Sequence, residues 1–419
     1  MNTPHPALRL SDRIAELLTD PAAAPVAWSS RPQWRQSLAH GAPGIALLHI
    51  ERAATGLGPW EPVRAWLSVA AGVPVTSGTD SYLYYGAPAL AHALTCAAQA
   101  HPGTYQRALE HLDQVVAADA VRRCEQAEAR TERGDLPWLA EFDTIRGLAG
   151  IGSVLLRRAP GGEPMRRILA CLVRLTEDLK HDGEVLPGWW TLAGPSGKTD
   201  SRFPKGHANS GLAHGIAGPL ALLALALRRG IEVDGQREAI RMILAWLERW
   251  RDGPAWPYWI TPAHLTGPNR RPLAPQRPSW CYGTAGIARA QQLAALALGD
   301  QRLRHDAESA LATALVDPKG LAATTDLSAC HGYAGLAHIA HRAASDASPR
   351  NADRLRSAAA LLLDTTHPPH ADPDEEARRL LASAGPAFLE GAAGTALALL
   401  APATGCTPAT RWDACLLTS

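Results

Sequence analysis

Two kinds of apolar pattern alternate along the chain. Stretches such as 216–228 and 287–298 are almost wholly apolar. Others, such as 166–179 and 237–250, carry apolar residues at helical spacing with charges on the opposite side. A helix that is apolar all round is buried all round, and one with a single apolar stripe lies outside. Each wholly apolar stretch follows a Gly-x-x-Gly tetrad. The tetrads are Gly41-Ala-Pro-Gly44, Gly86-Ala-Pro-Ala89, Gly147-Leu-Ala-Gly150, Gly215-Ile-Ala-Gly218, Gly283-Thr-Ala-Gly286, Gly332-Tyr-Ala-Gly335 and Gly391-Ala-Ala-Gly394, and only the second loses its last glycine. Self-similarity at a recurring interval marks a repeat architecture. The expectation is all-α: an α/α toroid of seven inner and seven outer helices, with an open helical solenoid as the alternative. Residues 1–35 read as an N-terminal extension with one helix at 8–18, and 36–419 as a single catalytic domain. Two irregular regions, 183–209 and 253–279, precede tetrads and should lie at the end where the inner helices start, a usual place for function.

Bulk composition narrows the classes. Of 419 residues, 46% are hydrophobic and 19% charged, which suits a large core. The net charge of +1 gives no electrostatic case for nucleic acid or a membrane surface. No apolar run has the length of a membrane span, and no secretion signal is evident. The seven cysteines are scattered, which fits a reducing cytosol better than a disulfide framework. Cys96, Cys124, Cys171, Cys406 and Cys415 read as packing residues.

The chemistry concentrates just before the tetrads. The preceding residues are His40, Tyr85, Arg146, His214, Tyr282, His331 and Glu390, which a ring would bring to one cavity. Copies five and six read Trp280-Cys281-Tyr282-Gly283 and Cys330-His331-Gly332, so the two cysteines stand one repeat apart at equivalent helix starts. Two thiolates and one imidazole match the ligand preference of zinc, and three protein ligands leave a fourth position open, as in catalytic sites. The alternative is that both cysteines are buried small hydrophobes. His214 is a candidate acid or base. Asp143 either orients it or caps a helix. Arg277 either steadies a developing oxyanion or is a solvated loop residue.

The stretches Asn209-Ser-Gly-Leu-Ala-His214-Gly-Ile-Ala-Gly218, Trp280-Cys281-Tyr-Gly-Thr-Ala-Gly286, Cys330-His331-Gly-Tyr-Ala-Gly335 and Phe388-Leu-Glu-Gly-Ala-Ala-Gly394 resemble the signatures of the lanthionine synthetase C-like (LanC) family. Their order and spacing agree from about residue 37 onward. Ala89, Pro278 and Ser279 are minor departures. The resemblance implies an α/α toroid, one catalytic zinc on Cys281, Cys330 and His331, and catalytic roles for Asp143, His214, Arg277 and Tyr282. It implies a lanthipeptide cyclase of the class I type, closing (methyl)lanthionine thioether rings in a precursor peptide. The implied partners are a dehydrated precursor of leader plus core, a dehydratase and an exporter. A cytoplasmic monomer is expected, peripherally associated with a membrane biosynthetic complex.

That reading suits the ligand charges. A cysteine thiol is mostly protonated at neutral pH, and zinc would hold a substrate sulfur as thiolate. Two thiolate ligands offset the metal's charge and keep a third sulfur nucleophilic. His214 is then expected to protonate the enolate, with Asp143 orienting it and Arg277 stabilising its oxygen. Rival readings are glutathione addition to dehydroamino acids, a non-catalytic zinc-stabilised peptide-binding scaffold, and a prenyltransferase-like toroid. The last is disfavoured by three Phe and seven Tyr.

Overall fold

The computed structural model describes residues 5–24, 30–194, 197–266, 274 and 276–419. The remainder of the 253–279 region, and residues 1–4, 25–29 and 195–196, lie outside the described residues. In chain order the helices are α1 (Ala7–Leu17), α2 (Ala42–Ala54), α3 (Glu61–Ala71), α4 (Ala87–Ala100), α5 (Gln106–Arg133), α6 (Leu139–Phe142), α7 (Leu148–Arg158), α8 (Glu163–Arg174), α9 (Ala217–Arg228), α10 (Gln236–Trp250), α11 (Pro262–Thr266), α12 (Thr284–Leu298), α13 (Gln301–Ala314), α14 (Pro318–Leu321), α15 (Tyr333–Asp346), α16 (Pro349–Thr366), α17 (Pro373–Ala384) and α18 (Ala392–Thr404). Seven of them, α2, α4, α7, α9, α12, α15 and α18, begin at the repeated tetrads. The apolar stretches therefore form helices where the sequence pattern placed them.

The chain divides into two compact units. One comprises Met1–Leu112 and Thr324–Asp413, the other Asp113–Ala323 and Ala414–Ser419. In the first unit, α15, α18, α2 and α4 pack successively side by side. Outside them, α3 lies on α2 and α16 on α15. Helix α1 packs against α18 and α17, so the outer neighbour of the last repeat comes from the start of the chain. In the second unit, α7, α9 and α12 form the inner row, with α8, α10 and α13 against them. Burial follows the sequence pattern. Every residue of α9 from Ala217 to Leu227 is buried, whereas α8 buries only Met165, Ile168, Leu169, Cys171 and Leu172. Of the lone cysteines, Cys96, Cys124, Cys171 and Cys415 are buried as packing residues should be, but Cys406 is exposed.

The tetrads make a specific turn. In four copies the N–H of the second glycine bonds to the carbonyl seven residues back: Gly150 to Asp143, Gly286 to Ser279, Gly335 to Ser328 and Gly394 to Ala387, each at 3.2 Å, while in copy four Gly218 bonds to Gly215. The loop is thereby folded onto its own helix start. A Cβ at Gly286 would stand 2.0 Å from the Trp280 carbonyl oxygen, and one at Gly335 would stand 2.1 Å from that of Ala329. No side chain fits there. The second copy, which has Ala89, uses a different turn: Gly86 adopts φ 74° and bonds to the Gln36 carbonyl.

Backbone hydrogen bonds also run from each mouth turn to the next within a unit. Thr144 N–H donates to Ala213 O, and Ala213 N–H to Cys281 O, both at 3.0 Å. In the other unit Leu38 N–H donates to Tyr84 O (2.9 Å), Leu389 N–H to Ala39 O (3.1 Å) and Cys330 N–H to Leu389 O (2.9 Å). The irregular regions of the second unit meet as well, since Ala208–Asn209 pairs antiparallel with Trp259–Ile260.

Replacing Gly335 by Ala should cost about 1–3 kcal/mol through overpacking. Gly161→Ala, where no atom lies within 4 Å of the added Cβ, should change stability by less than about 0.5 kcal/mol. Chemical denaturation compares the two, and equal stabilities would refute the turn geometry.

Candidate metal centre and active site

Ser37, Asp143, Ser279 and Ser328 all stand four residues before the first glycine of a tetrad. Each accepts backbone N–H bonds inside its own turn. Ser37 Oγ takes His40 N–H (3.0 Å), and Ser328 Oγ takes His331 N–H (3.1 Å). Ser279 Oγ takes Tyr282 N–H (3.3 Å) and Gly283 N–H (3.1 Å). Ser279 is fully buried and its hydroxyl lies 3.5 Å from Cys281 Sγ, so it is part of the site's frame rather than loop variation.

In copy three the capping residue is a carboxylate, and that changes the chemistry. Asp143 Oδ1 accepts the N–H groups of Arg146 (2.6 Å) and Gly147 (2.8 Å). Its other oxygen, Oδ2, lies 2.7 Å from His214 Nδ1. Asp143 thus both caps a helix start and orients an imidazole. The carboxylate is buried while His214 is part-exposed, so the pair presents only its imidazole toward a ligand.

Tyr282 lies beside this pair, its ring 6.0 Å from that of His214. Tyr258 was not singled out by the sequence and lies 5.8 Å from Tyr282. Its hydroxyl donates to the Arg277 carbonyl (2.9 Å), and burial pushes its pKa up to about 12. Arg277 therefore joins the group through its backbone, which also accepts Ser279 N–H (2.9 Å). Trp259, Phe203 and Arg202 extend the aromatic wall. His207 is stacked on Phe203, and burial holds its pKa down to about 4. No repeat position marks these residues, because they sit on the insertions.

Cys281 is 6% exposed and Cys330 8%, with His331 partly exposed. Cys281 stands just before α12 in one unit, and Cys330 and His331 just before α15 in the other, at equivalent positions of their turns. Two cysteine sulfurs and one imidazole make a donor set of the kind zinc takes, and three protein ligands leave its fourth position open. The soft donors favour zinc over a hard cation. Trp280, next to Cys281, is buried and its indole N–H donates to Leu416 O (2.9 Å). Asp326 Oδ2 lies 3.2 Å from His331 Nε2. Burial alone would raise the Asp326 pKa, but hydrogen bonds from His331 and Ser328 outweigh it and hold the carboxyl well below the usual range.

The family model for lanthionine synthetase C-like proteins matches residues 32–417. The chain belongs to this family. It is 26% identical over 211 residues to the nisin biosynthesis protein NisC of Lactococcus lactis subsp. lactis, an alignment that spans 48% of each protein, or about half of that relative's length. Its structure is similar to that of nisin cyclase, with a TM-score of 0.72 and 22% identity over 98% of this chain and 96% of that one. The fold is thus an α/α toroid.

Asp143→Ala should lower stability by about 1–2 kcal/mol through loss of the cap. Asp143→Asn, which keeps an oxygen for the two backbone N–H groups, should retain most of that stability. If thermal or denaturant unfolding finds the two variants equally destabilised, the capping role is wrong.

Proposed function

We propose that this protein is a zinc-dependent lanthipeptide cyclase. It adds cysteine thiols of a dehydrated precursor peptide to dehydroalanine or dehydrobutyrine residues, forming lanthionine and methyllanthionine. The observation that carries this reading is the Asp143–His214 pair, whose turn is bonded directly to that of Cys281 through Ala213, together with the zinc-type donors Cys281, Cys330 and His331 at equivalent helix starts. Membership of the lanthionine synthetase C-like family supports it.

Zinc, when bound by Cys281, Cys330 and His331, supplies the Lewis acidity that keeps a thiol ionised at neutral pH. The remaining chemistry is proton management. The carbon–sulfur bond forms at the β-carbon, the π pair moves toward the carbonyl, and a proton must reach the α-carbon. With Nδ1 engaged by Asp143, His214 has Nε2 as the nitrogen that exchanges that proton. Asp143 fixes the tautomer. Tyr282 lies beside His214, and Tyr282 and Arg277 are assigned to orienting the carbonyl on which charge develops. The reaction is an addition, so the proton lost by the thiol balances the one gained at carbon and nothing is oxidised. The dehydro residues must come from a dehydratase acting on serine and threonine. No described helix is long and apolar enough to cross a membrane.

Purified protein should hold about one zinc, and Cys281→Ala should lose both metal and ring formation. His214→Ala should keep the zinc but cyclise a dehydrated peptide about 10²-fold more slowly, or worse, as read by loss of alkylatable thiol. A His214→Ala variant that cyclises at the normal rate would overturn the acid assignment. A wild-type protein without zinc would overturn the metal-dependent reading.

A further inference from the structure

The sequence motifs account for the three metal ligands but not for Asp326, which stands six residues before Gly332. Its carboxylate is held from two sides. Oδ1 accepts the Ser328 N–H at 2.8 Å, and Oδ2 lies 3.2 Å from His331 Nε2. Its own carbonyl takes the Tyr333 N–H at 3.1 Å, which anchors the residue on the first turn of α15. Ser328 in turn accepts the His331 N–H. Both ends of His331, backbone and ring, are thus tied to one short segment, 326–328.

We propose that Asp326 is a positioning residue for the metal centre: it accepts the Nε2 proton of His331, fixes the tautomer and ring orientation, and directs Nδ1 to the metal. This rests on the zinc reading above. An imidazole that binds a metal through one nitrogen typically donates its other N–H to a carboxylate or carbonyl, which raises the basicity of the ligating nitrogen. The second unit uses the same device without a metal, since Asp143 fixes the ring of His214. The repeat therefore supplies a carboxylate to each of the two functional imidazoles, from capping position four in copy three and from position six in copy six.

The test is zinc affinity by chelator competition in four proteins: wild type, Asp326→Asn, His331→Ala and the double variant. Asparagine keeps an oxygen for the Ser328 N–H, so the turn should survive, and the unfolding midpoint of the zinc-free Asp326→Asn protein should match wild type. The expected result is a zinc Kd about 10–100-fold weaker for Asp326→Asn. In the His331→Ala background the same substitution should have little further effect, because Asp326 acts through the imidazole. Asp326→Glu should recover part of the affinity. An unchanged Kd for Asp326→Asn, or an equal loss in both backgrounds, would overturn the proposal. Absence of zinc binding by wild type would instead remove the metal reading on which the proposal rests.

Discussion

The N–H of Ala213 bonds to the carbonyl of Cys281, and the N–H of Cys330 bonds to that of Leu389. Residues just ahead of the tetrads are thereby fixed by main-chain bonds to the next turn, independent of their side chains. Buried backbone groups must be paired, so these bonds are obligatory once the turns pack together. The glycines let each turn fold closely onto its own helix start. At Gly286 and Gly335 the helix start lies so close to the preceding carbonyl that a Cβ has no room. The side chains of the mouth residues are left available for chemistry, with positions set by the backbone.

The difference between a structural and a functional turn is then small. Ser37, Ser279 and Ser328 each cap their turn with one hydroxyl. In copy three the cap is Asp143, whose second oxygen holds His214. One change of residue type at a repeated position adds to the cap a second oxygen that holds an imidazole. Cys281 and Cys330 likewise stand at a position where the other copies carry Ala39, Tyr84, Ile145, Ala213 and Leu389. Geometry of this kind rests on helix starts, which hold side chains more precisely than free loops do.

Much of this was legible in the sequence. Seven glycine tetrads followed by apolar stretches gave the seven inner helices, because burial on all sides leaves no polar face to disguise. The equivalent spacing of Cys281 and Cys330 marked them as candidate metal ligands, and Asp143 and His214 are in contact in the structure. Other features had no local signal. That α1 packs on α18 is a contact between opposite ends of the chain. Tyr258, Trp259 and Phe203 sit on insertions that no repeat constrains, and their meeting depends on the short pairing of 208–209 with 259–260. Asp326 is invisible to the motif because its partner, His331, is reached by loop curvature rather than helical spacing. Ser279 looked like ordinary variation because its role lies in hydrogen bonds within one turn.

The central claim is that Cys281, Cys330 and His331 together bind one zinc. X-ray absorption at the zinc edge of the purified protein tests it most directly. The zinc should be surrounded by two sulfurs at about 2.3 Å and one imidazole nitrogen at about 2.0–2.1 Å. A shell of nitrogen and oxygen alone would contradict it.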